Sequence, residues 1–267
     1  MRKPLIVVKL GGSALTEKKR KFTPRLGEIH RAAKQMAELG KRFSVLVVHG
    51  AGSYGHIPVK QWGLEAGFRN EGQLNGLVAT KLKLLEWEVI FARIFLKHHV
   101  HLVPIVASDF IVTRNGRISH ADLRSVRNWV RMGCIPSTGG DIVSDLRKGF
   151  SVVSGDQIAA YLAVKFQASK LIFGVDVDGI FSANPKLDRN ARIMTELTPR
   201  EALGAADRAG VVDVPDVTGG MAGKIREALA ATSNGIPVYF VNLTKSDRLT
   251  KVAMNREVLC SKIVPSN

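Results

Sequence analysis

Two glycine-rich segments carry the residue types and spacing in this chain that could do chemistry. The β-branched run 5–10 leads into Gly11-Gly12-Ser13, and the run 44–48 leads into the segment 49–56, His-Gly-Ala-Gly-Ser-Tyr-Gly-His. Because glycine lacks a Cβ, such loops can turn backbone N–H groups toward an anion. Cations adjoin both segments: Lys9, Lys18 and His56. The pairing predicts a site that holds two phosphorylated groups at once.

The charge balance is strongly basic, with 39 Lys and Arg against 23 Asp and Glu and a formal net charge of +16. Such a field attracts polyanions. The positive residues are spread along the chain, however, and the densest run, 18–21, has no interleaved aromatic residues on which bases could stack. We therefore expect a small phosphorylated substrate and no nucleic acid. A basic nucleic-acid-binding protein is the alternative from a different class.

Cysteine usage and the apolar runs bear on the compartment. Cys134 and Cys260 stand alone, without a C-x-x-C pair or a histidine at metal-ligand spacing, which predicts reduced thiols. Lys9 interrupts the first apolar run, so we do not interpret that run as a signal peptide. The uncharged stretch 228–244 contains a turn sequence and does not fit a membrane span. We expect a cytoplasmic protein without a membrane partner.

The elements that must position these loops alternate along the chain between strand and helix. Besides the two strands already named, the pattern predicts helices over 24–39, 73–98, 122–132, 157–166 and 220–231, strands over 101–106, 171–175, 238–241 and 258–264, and hairpins that turn at 115–116 and 148–149. The segment between Val175 and Gly220 is expected to be mainly loop. This alternation predicts an α/β fold, a three-layer αβα sandwich with a mostly parallel central sheet. We place its two lobes at 1–166 and 167–267 of one continuous domain.

Gly50, Gly52 and Gly55 also fit the G-x-G-x-x-G pattern of dinucleotide-binding folds. That fingerprint needs a helix that opens at the loop and an acidic residue at the end of a second strand about 20 residues on. Pro58 follows the loop almost at once, and the expected position of the acid falls at the entrance to the long helix. We therefore reject the dinucleotide site. A G-x-x-x-x-G-K-[ST] loop is absent from the sequence.

Five motifs together resemble the amino acid kinase superfamily and span nearly the whole chain. In chain order they are Lys9 to Ser13, His49 to His56, Ser154-Gly155-Asp156, Val175 to Phe181, and Val217-Thr218-Gly219-Gly220-Met221 with Lys224. Within the superfamily, the second motif and Thr16-Glu17-Lys18 are similar to the isopentenyl phosphate kinase family. That resemblance implies direct in-line transfer of the ATP γ-phosphoryl group to isopentenyl phosphate, a step of isoprenoid precursor synthesis in the alternative mevalonate pathway. A fosfomycin-type resistance kinase and other kinases of this fold are the alternatives.

The resemblance also implies roles for individual residues. Lys9 and Lys224 would stabilise the transferring phosphoryl group while Asp156 orients both, and Lys18 and His56 would complete the catalytic set. The nucleotide would be held by Lys9, Gly11, Gly12, Ser13, Gly52, Asp176, Asp178, Gly179, Gly219 and Lys224. The acceptor would contact Ala51, Gly52, Tyr54, Gly55, His56 and Gly155. Mg²⁺ is expected on the ATP phosphates, without a dedicated carboxylate cage in the protein.

The chemistry fits these residue types. A phosphate monoester has a second pKa near 6, so the acceptor is mostly a dianion at pH 7 and needs no general base. Two anions must instead be held together by cations and N–H donors. Alternatives stay open for some positions: Asp156 could be a helix N-cap, Asp178 could belong to an ordinary turn, and Lys19 or Lys21 could substitute for Lys18.

The predicted helix 73–98 carries more apolar residues than one buried stripe needs. One side is expected to pack in the core and the other to form the contact of a homodimer. We also expect part of this helix, at Trp87 and Ile90, to form with Tyr54 the wall of a pocket for a short hydrocarbon tail.

Overall fold

A computed structural model describes residues 3–17, 20–183, 185, 188–209 and 220–265. Its helices are α1 (Gly12–Leu15), α2 (Leu26–Arg42), α3 (His56–Gln61), α4 (Gln73–Lys97), α5 (Arg124–Arg131), α6 (Gly155–Lys165), α7 (Pro199–Ala209), α8 (Gly220–Thr232) and α9 (Arg248–Ala253). Its strands are β1 (Leu5–Leu10), β2 (Ser44–His49), β3 (Leu102–Pro104), β4 (Ile111–Arg114), β5 (Arg117–Ala121), β6 (Ile135–Gly139), β7 (Asp141–Asp145), β8 (Gly149–Val153), β9 (Lys170–Val175), β10 (Glu196–Leu197), β11 (Val238–Asn242) and β12 (Ser261–Ile263).

The central sheet has eight strands in the order β10-β12-β11-β9-β1-β2-β6-β3. Its neighbours run parallel except β11 and β12, which are antiparallel. Parallel strands gather their carboxyl ends at one edge, so the loops after β9, β1, β2 and β6 are neighbours there. The mostly parallel sheet of the predicted α/β class is confirmed.

Helices cover both faces of this sheet. Along β1, Ile6, Val8 and Leu10 belong to a core with α2, α4 and α9, whereas Val7 belongs to a second core with α5, α6, α7 and α8. This division follows from the alternation of side chains along a strand, because both faces of a buried central strand must be apolar. It also places the side chain of Lys9 on the face that carries α6. The predicted three-layer αβα sandwich is confirmed.

A smaller sheet of four strands, β5-β4-β7-β8, lies beside this sandwich. Both hairpins that the sequence predicts lie in it, β4 with β5 at the turn 115–116 and β7 with β8 near 148–149. The Asp145 carboxylate accepts hydrogen bonds from backbone N–H groups of both turns, including Gly116 at 2.7 Å and Arg147 at 2.8 Å. One buried carboxylate therefore fixes the two hairpin turns relative to each other.

Three helices lie outside the predicted pattern: the short α1, α3 and α7. α7 lies inside the segment expected to be mainly loop, and α3 begins at His56, directly after the second glycine loop. Pro58 is tolerated because it lies in the first turn of α3, where a backbone N–H has no partner within the helix. The absence of a helix after the glycine loop was therefore a wrong reason to reject a dinucleotide site. The missing acidic residue still argues against a dinucleotide site.

The sheet runs through both predicted lobes, since β1 of the first pairs with β9 of the second in parallel register. Among the residues that the structure describes, no helix combines the length and the apolar character needed to cross a membrane.

Candidate active site

Lys9 and Lys224 meet at one buried carboxylate. Lys9 is the fifth residue of β1, and its Nζ lies 2.6 Å from Oδ1 of Asp156 in the first turn of α6. Lys224, on α8, places its Nζ 3.2 Å from Oδ2 of the same side chain. β1, α6 and α8 thus contribute one charged side chain each on the same face of the sheet.

Asp156 is almost completely buried. Burial would raise the pKa of its carboxyl, but the charges of Lys9 and Lys224 outweigh burial and hold the pKa below its usual value. The carboxylate therefore stays ionised and orients both ammonium groups. Asp156 is not the N-cap of α6, because Ser154 has that position and its Oγ accepts a hydrogen bond from the backbone N–H of Gln157 at 3.1 Å.

The two glycine loops pack backbone against backbone. A Cβ at Gly50 would lie 2.4 Å from the nitrogen of Gly12, and a Cβ at Gly12 would lie 2.6 Å from the nitrogen of Gly52. Only glycine fits such an approach. Thr16 joins the loops further, since its Oγ1 donates to the carbonyl of Gly12 and accepts from the N–H of Ser53, both at 3.0 Å.

A cavity of about 640 Å³ opens where these loops meet α3, α6 and α8. Its lining includes most of the predicted catalytic and acceptor-binding residues and part of the predicted nucleotide site: Lys9, Gly12, Ser13, Ala51, Gly52, Gly55, His56, Gly155, Asp156 and Lys224. The geometry thus brings donor-side and acceptor-side predictions into one space. Lys18 and Gly219 lie outside the described residues.

Five predicted nucleotide or acceptor residues are absent from the described lining of this cavity: Gly11, Tyr54, Asp176, Asp178 and Gly179. The N–H of Gly11 donates to the carbonyl of Gly174 at 2.8 Å, so it extends the pairing of β1 with β9 and does not point to a phosphate. Tyr54 is buried and donates its hydroxyl to the carbonyl of Phe22 at 2.8 Å. Asp176 and Gly179 lie in the loop after β9, where a Cβ at Gly179 would approach Ser261 Oγ to 2.4 Å.

Asp178, in the same loop, also does not line the cavity among the described residues. Its Oδ1 accepts from Asn242 Nδ2 at 2.9 Å and pairs with Arg248 at 2.6 Å. The hydrogen bond from Asn242 lowers the pKa of Asp178. Together with the Arg248 contact, it outweighs partial burial, which would raise that pKa. The loop after β9 is therefore tied to the end of β11 and to α9.

The apolar end of the cavity differs from the predicted tail pocket. Its wall consists of Ile57, Val59, Leu84, Ile142 and Val152. Trp87 instead stacks on Tyr54 behind the loop, with ring centroids 5.3 Å apart, and Ile90 packs at the edge of the core. The prediction that α4 contributes a wall holds for Leu84, one turn before Trp87, and not for Trp87 or Ile90.

Sequence reasoning gave no role to two charged residues of the lining, Lys60 and Asp141, and offered Lys21 only as a substitute for Lys18. Lys21 belongs to the basic run 18–21 and could take the role expected of Lys18. Lys60 follows His56 by four residues on α3, and this spacing could have identified it, because such residues share a helix face. Asp141 pairs with Lys81 at 2.6 Å, a contact between distant segments that no local pattern shows.

The described residues hold no group of three or more His, Cys, Asp and Glu side chains that could bind a metal ion. Both carboxylates of the cavity, Asp141 and Asp156, are paired with lysines. Four lysines, Lys9, Lys21, Lys60 and Lys224, also line the cavity, so its charged lining is mainly cationic.

Comparisons with known proteins agree with this geometry. A model of the amino acid kinase family matches residues 4–242. An isopentenyl phosphate kinase of Methanothermobacter thermautotrophicus is 33% identical over 97% of this chain and 98% of its own length. One from Thermoplasma acidophilum is 29% identical over 92% of this chain and 94% of its own length. A solved isopentenyl phosphate kinase structure has a TM-score of 0.84 at 28% identity and covers 97% of this chain and 100% of its own.

The chain belongs to the amino acid kinase family. Within that family, these relatives are isopentenyl phosphate kinases, which confirms the resemblance that the motifs indicate.

Proposed function

We propose that this protein is an enzyme that transfers the γ-phosphoryl group of ATP to isopentenyl phosphate and forms isopentenyl diphosphate. One observation carries the proposal: a buried Asp156 orients Lys9 and Lys224 at one side of a cavity that His56 also lines and that ends in an apolar wall. An acceptor with a phosphate head and a short hydrocarbon tail matches both halves of that cavity. The names of the relatives point to the same acceptor.

The transfer balances without an acid or base from the protein. An oxygen of the acceptor dianion attacks the γ-phosphorus in line, a new P–O bond forms, and the bond from the γ-phosphorus to the β–γ bridging oxygen breaks, with ADP as the leaving group. Lys9 and Lys224 stabilise the charge on the transferring group. His56 holds the acceptor phosphate, and the backbone of Gly12, Ser13 and Gly52 holds the phosphates of ATP.

Mg²⁺ is held mainly by the ATP phosphates in this proposal, because the described carboxylates of the cavity are already paired with lysines. When bound, the ion offsets phosphate charge. The acceptor binds among residues of the lobe 1–166 and the nucleotide among those of 167–267, with the ATP phosphates between them. Asp176, Asp178 and Gly179 lie on the nucleotide side, since the loop after β9 neighbours the loop after β1.

The protein acts as a homodimer in this proposal. The outer side of α4 exposes a line of large apolar side chains spaced by three, four or seven residues: Leu74, Val78, Leu82, Leu85, Val89 and Leu96. An apolar line of this length on a helix otherwise packed in the core is typical of a contact with a second copy. Sedimentation equilibrium of wild type and Leu82→Glu tests it. A dimer that dissociates in the variant supports it, and a wild-type monomer at micromolar concentration overturns it.

Phosphorus NMR of a mixture of protein, Mg-ATP and isopentenyl phosphate tests the activity itself. The monophosphate signal should be replaced by the two coupled signals of a diphosphate monoester, in step with ADP formation. ADP that appears together with inorganic phosphate, without a new diphosphate, would show an ATPase and overturn the proposal.

A further inference from the structure

A buried histidine connects the base of the second glycine loop to α4. His49 is the last residue of β2 and is almost fully buried. Trp87 Nε1, on α4, donates to His49 Nδ1 at 3.1 Å and lies 3.2 Å from the carbonyl oxygen of Gly50. On the other side of the ring, His49 Nε2 lies 2.9 Å from Oε1 of Glu88, also on α4.

These contacts assign the tautomer of the imidazole ring. Because an indole N–H can only donate, Nδ1 of His49 accepts the hydrogen bond from Trp87, and the ring proton is on Nε2, which faces the Glu88 carboxylate. The ring is thus held from both sides by consecutive residues of α4. His49 is too far inside the protein to touch a substrate, and none of its ring atoms is needed for phosphoryl transfer.

His49 also contacts two other segments of the site. Its carbonyl oxygen accepts from the N–H of Gly140 at 3.2 Å, and a Cβ at Gly155 would lie 2.9 Å from that oxygen. A Cβ at Gly139 would lie 2.5 Å from Cε1 of the ring. A shift of His49 would therefore move the glycine loop, the segment 139–141 and the start of α6 together.

α4 also supplies Leu84 to the apolar wall of the cavity, about one turn before Trp87 and Glu88. We propose that His49, Trp87 and Glu88 are positioning residues that keep the phosphate-binding glycine loop in register with Leu84, the residue that α4 contributes to the apolar wall. The consequence for catalysis rests on the function proposed above. Binding energy from the acceptor tail then helps to align its phosphate head, because the contacts of Leu84 with the tail and of the glycine loop with the phosphate are connected through His49.

The test compares two acceptors, isopentenyl phosphate and methyl phosphate, which share the head but not the tail. In wild type, kcat/KM should favour isopentenyl phosphate. In Glu88→Ala and His49→Asn this preference should fall by about tenfold or more, while KM for ATP changes by less than about twofold. Glu88→Gln, which keeps a side-chain oxygen beside Nε2, should restore most of the preference. Glu86→Ala, at an exposed carboxylate of the same helix, is the matched control and should keep it.

An equal loss of activity toward both acceptors would show a merely structural role and overturn the proposal. Hydrogen exchange followed by mass spectrometry tests the positioning without any assumption about the acceptor. Glu88→Ala should speed exchange of the peptide that contains residues 50–55 and leave the β7–β8 hairpin unchanged. Unchanged exchange at 50–55 would overturn the positioning role. If wild type does not phosphorylate isopentenyl phosphate, the proposed function fails, and the exchange result alone decides this inference.

Discussion

Lys9 Nζ and Asp156 Oδ1 lie 2.6 Å apart, and both side chains are almost completely buried. Lys224 occupies the second oxygen of the same carboxylate at 3.2 Å. An isolated ammonium in this apolar strand would be costly, whereas a carboxylate shared by two lysines makes both charges tolerable. The shared carboxylate therefore orients both ammonium groups at the cavity.

Substitution of Asp156 by Asn should remove this orientation. We expect kcat to fall by about 100-fold or more, because two ammonium groups that have lost the Asp156 carboxylate no longer point to the transferring phosphoryl group. The free energy of unfolding should fall by about 3–5 kcal/mol, since a buried pair is broken. Steady-state kinetics and urea unfolding measure the two effects.

A double-variant cycle with Lys9→Met tests the direct pairing of Lys9 with Asp156. Lys9→Met combined with Asp156→Asn should lose less stability than the sum of the single variants, because each single variant leaves a buried charge behind. Additive stability losses would contradict a direct pairing of these side chains.

His56 should serve the acceptor and not the nucleotide. His56→Ala is expected to raise KM for isopentenyl phosphate by about tenfold or more, whereas KM for ATP stays within about twofold. The reason is that His56 begins α3 at the cavity, and β1 lies between β9 and β2, the strand that leads to His56. Titration with ATP alone supplies the control. Equal weakening of ATP and acceptor binding would assign His56 a structural role.

The apolar wall should set the length of the acceptor tail. Leu84→Ala and Ile142→Ala remove side-chain volume from the lining of the cavity, so both should raise kcat/KM for a longer prenyl phosphate relative to isopentenyl phosphate. Ile90→Ala is the matched control, because Ile90 packs at the core and does not line the cavity among the described residues. A gain for Ile90→Ala as large as that for Leu84→Ala would contradict this wall.

The strands that bear the glycine loops could be predicted because their signals are local. The β-branched runs of β1 and β2 end at glycines, and the Asn115-Gly116 turn marks its hairpin directly. α3 and α7 could not be found so readily, since Pro58 interrupts one pattern and the other helix lies in a segment rich in turn residues. For these elements, packing against the rest of the fold outweighs local preference.

The site residues, too, could be predicted from the sequence only in part. The Lys9, His56 and Asp156 motifs could be recognised, and the structure brings them to one cavity. Gly11 could not be separated from Gly12, because only the register of β1 with β9 assigns its N–H to Gly174. The tail wall pairs Leu84 with Ile142 from distant parts of the chain, and helical periodicity does not tell which residue of α4 faces the cavity.

Asp145 should make stability depend on pH in the acid range. Burial would raise the pKa of its carboxyl, but N–H donors from Gly116, Arg147 and Lys148 outweigh burial and hold the pKa well below its ordinary value of 3.8. A lowered folded-state pKa stabilises the protein above the unfolded-state value, and this contribution is lost as pH falls toward the folded-state value.

Asp145→Asn should therefore lower the free energy of unfolding by about 2 kcal/mol above about pH 5. The difference from wild type should narrow as pH falls through about 4. Urea unfolding of both proteins across this range measures it. A difference that stays constant or widens toward low pH would contradict the role of the Asp145 carboxylate.

The choice of acceptor tests the proposed function most directly. Coupled ADP release with Mg-ATP should be measured against isopentenyl phosphate, fosfomycin, uridylate and acetylglutamate at matched concentrations. We predict that kcat/KM for isopentenyl phosphate exceeds that for each other acceptor by about 100-fold or more, because only this acceptor joins a phosphate head to a short apolar tail. Good turnover of another acceptor beside none of isopentenyl phosphate would contradict the proposed function.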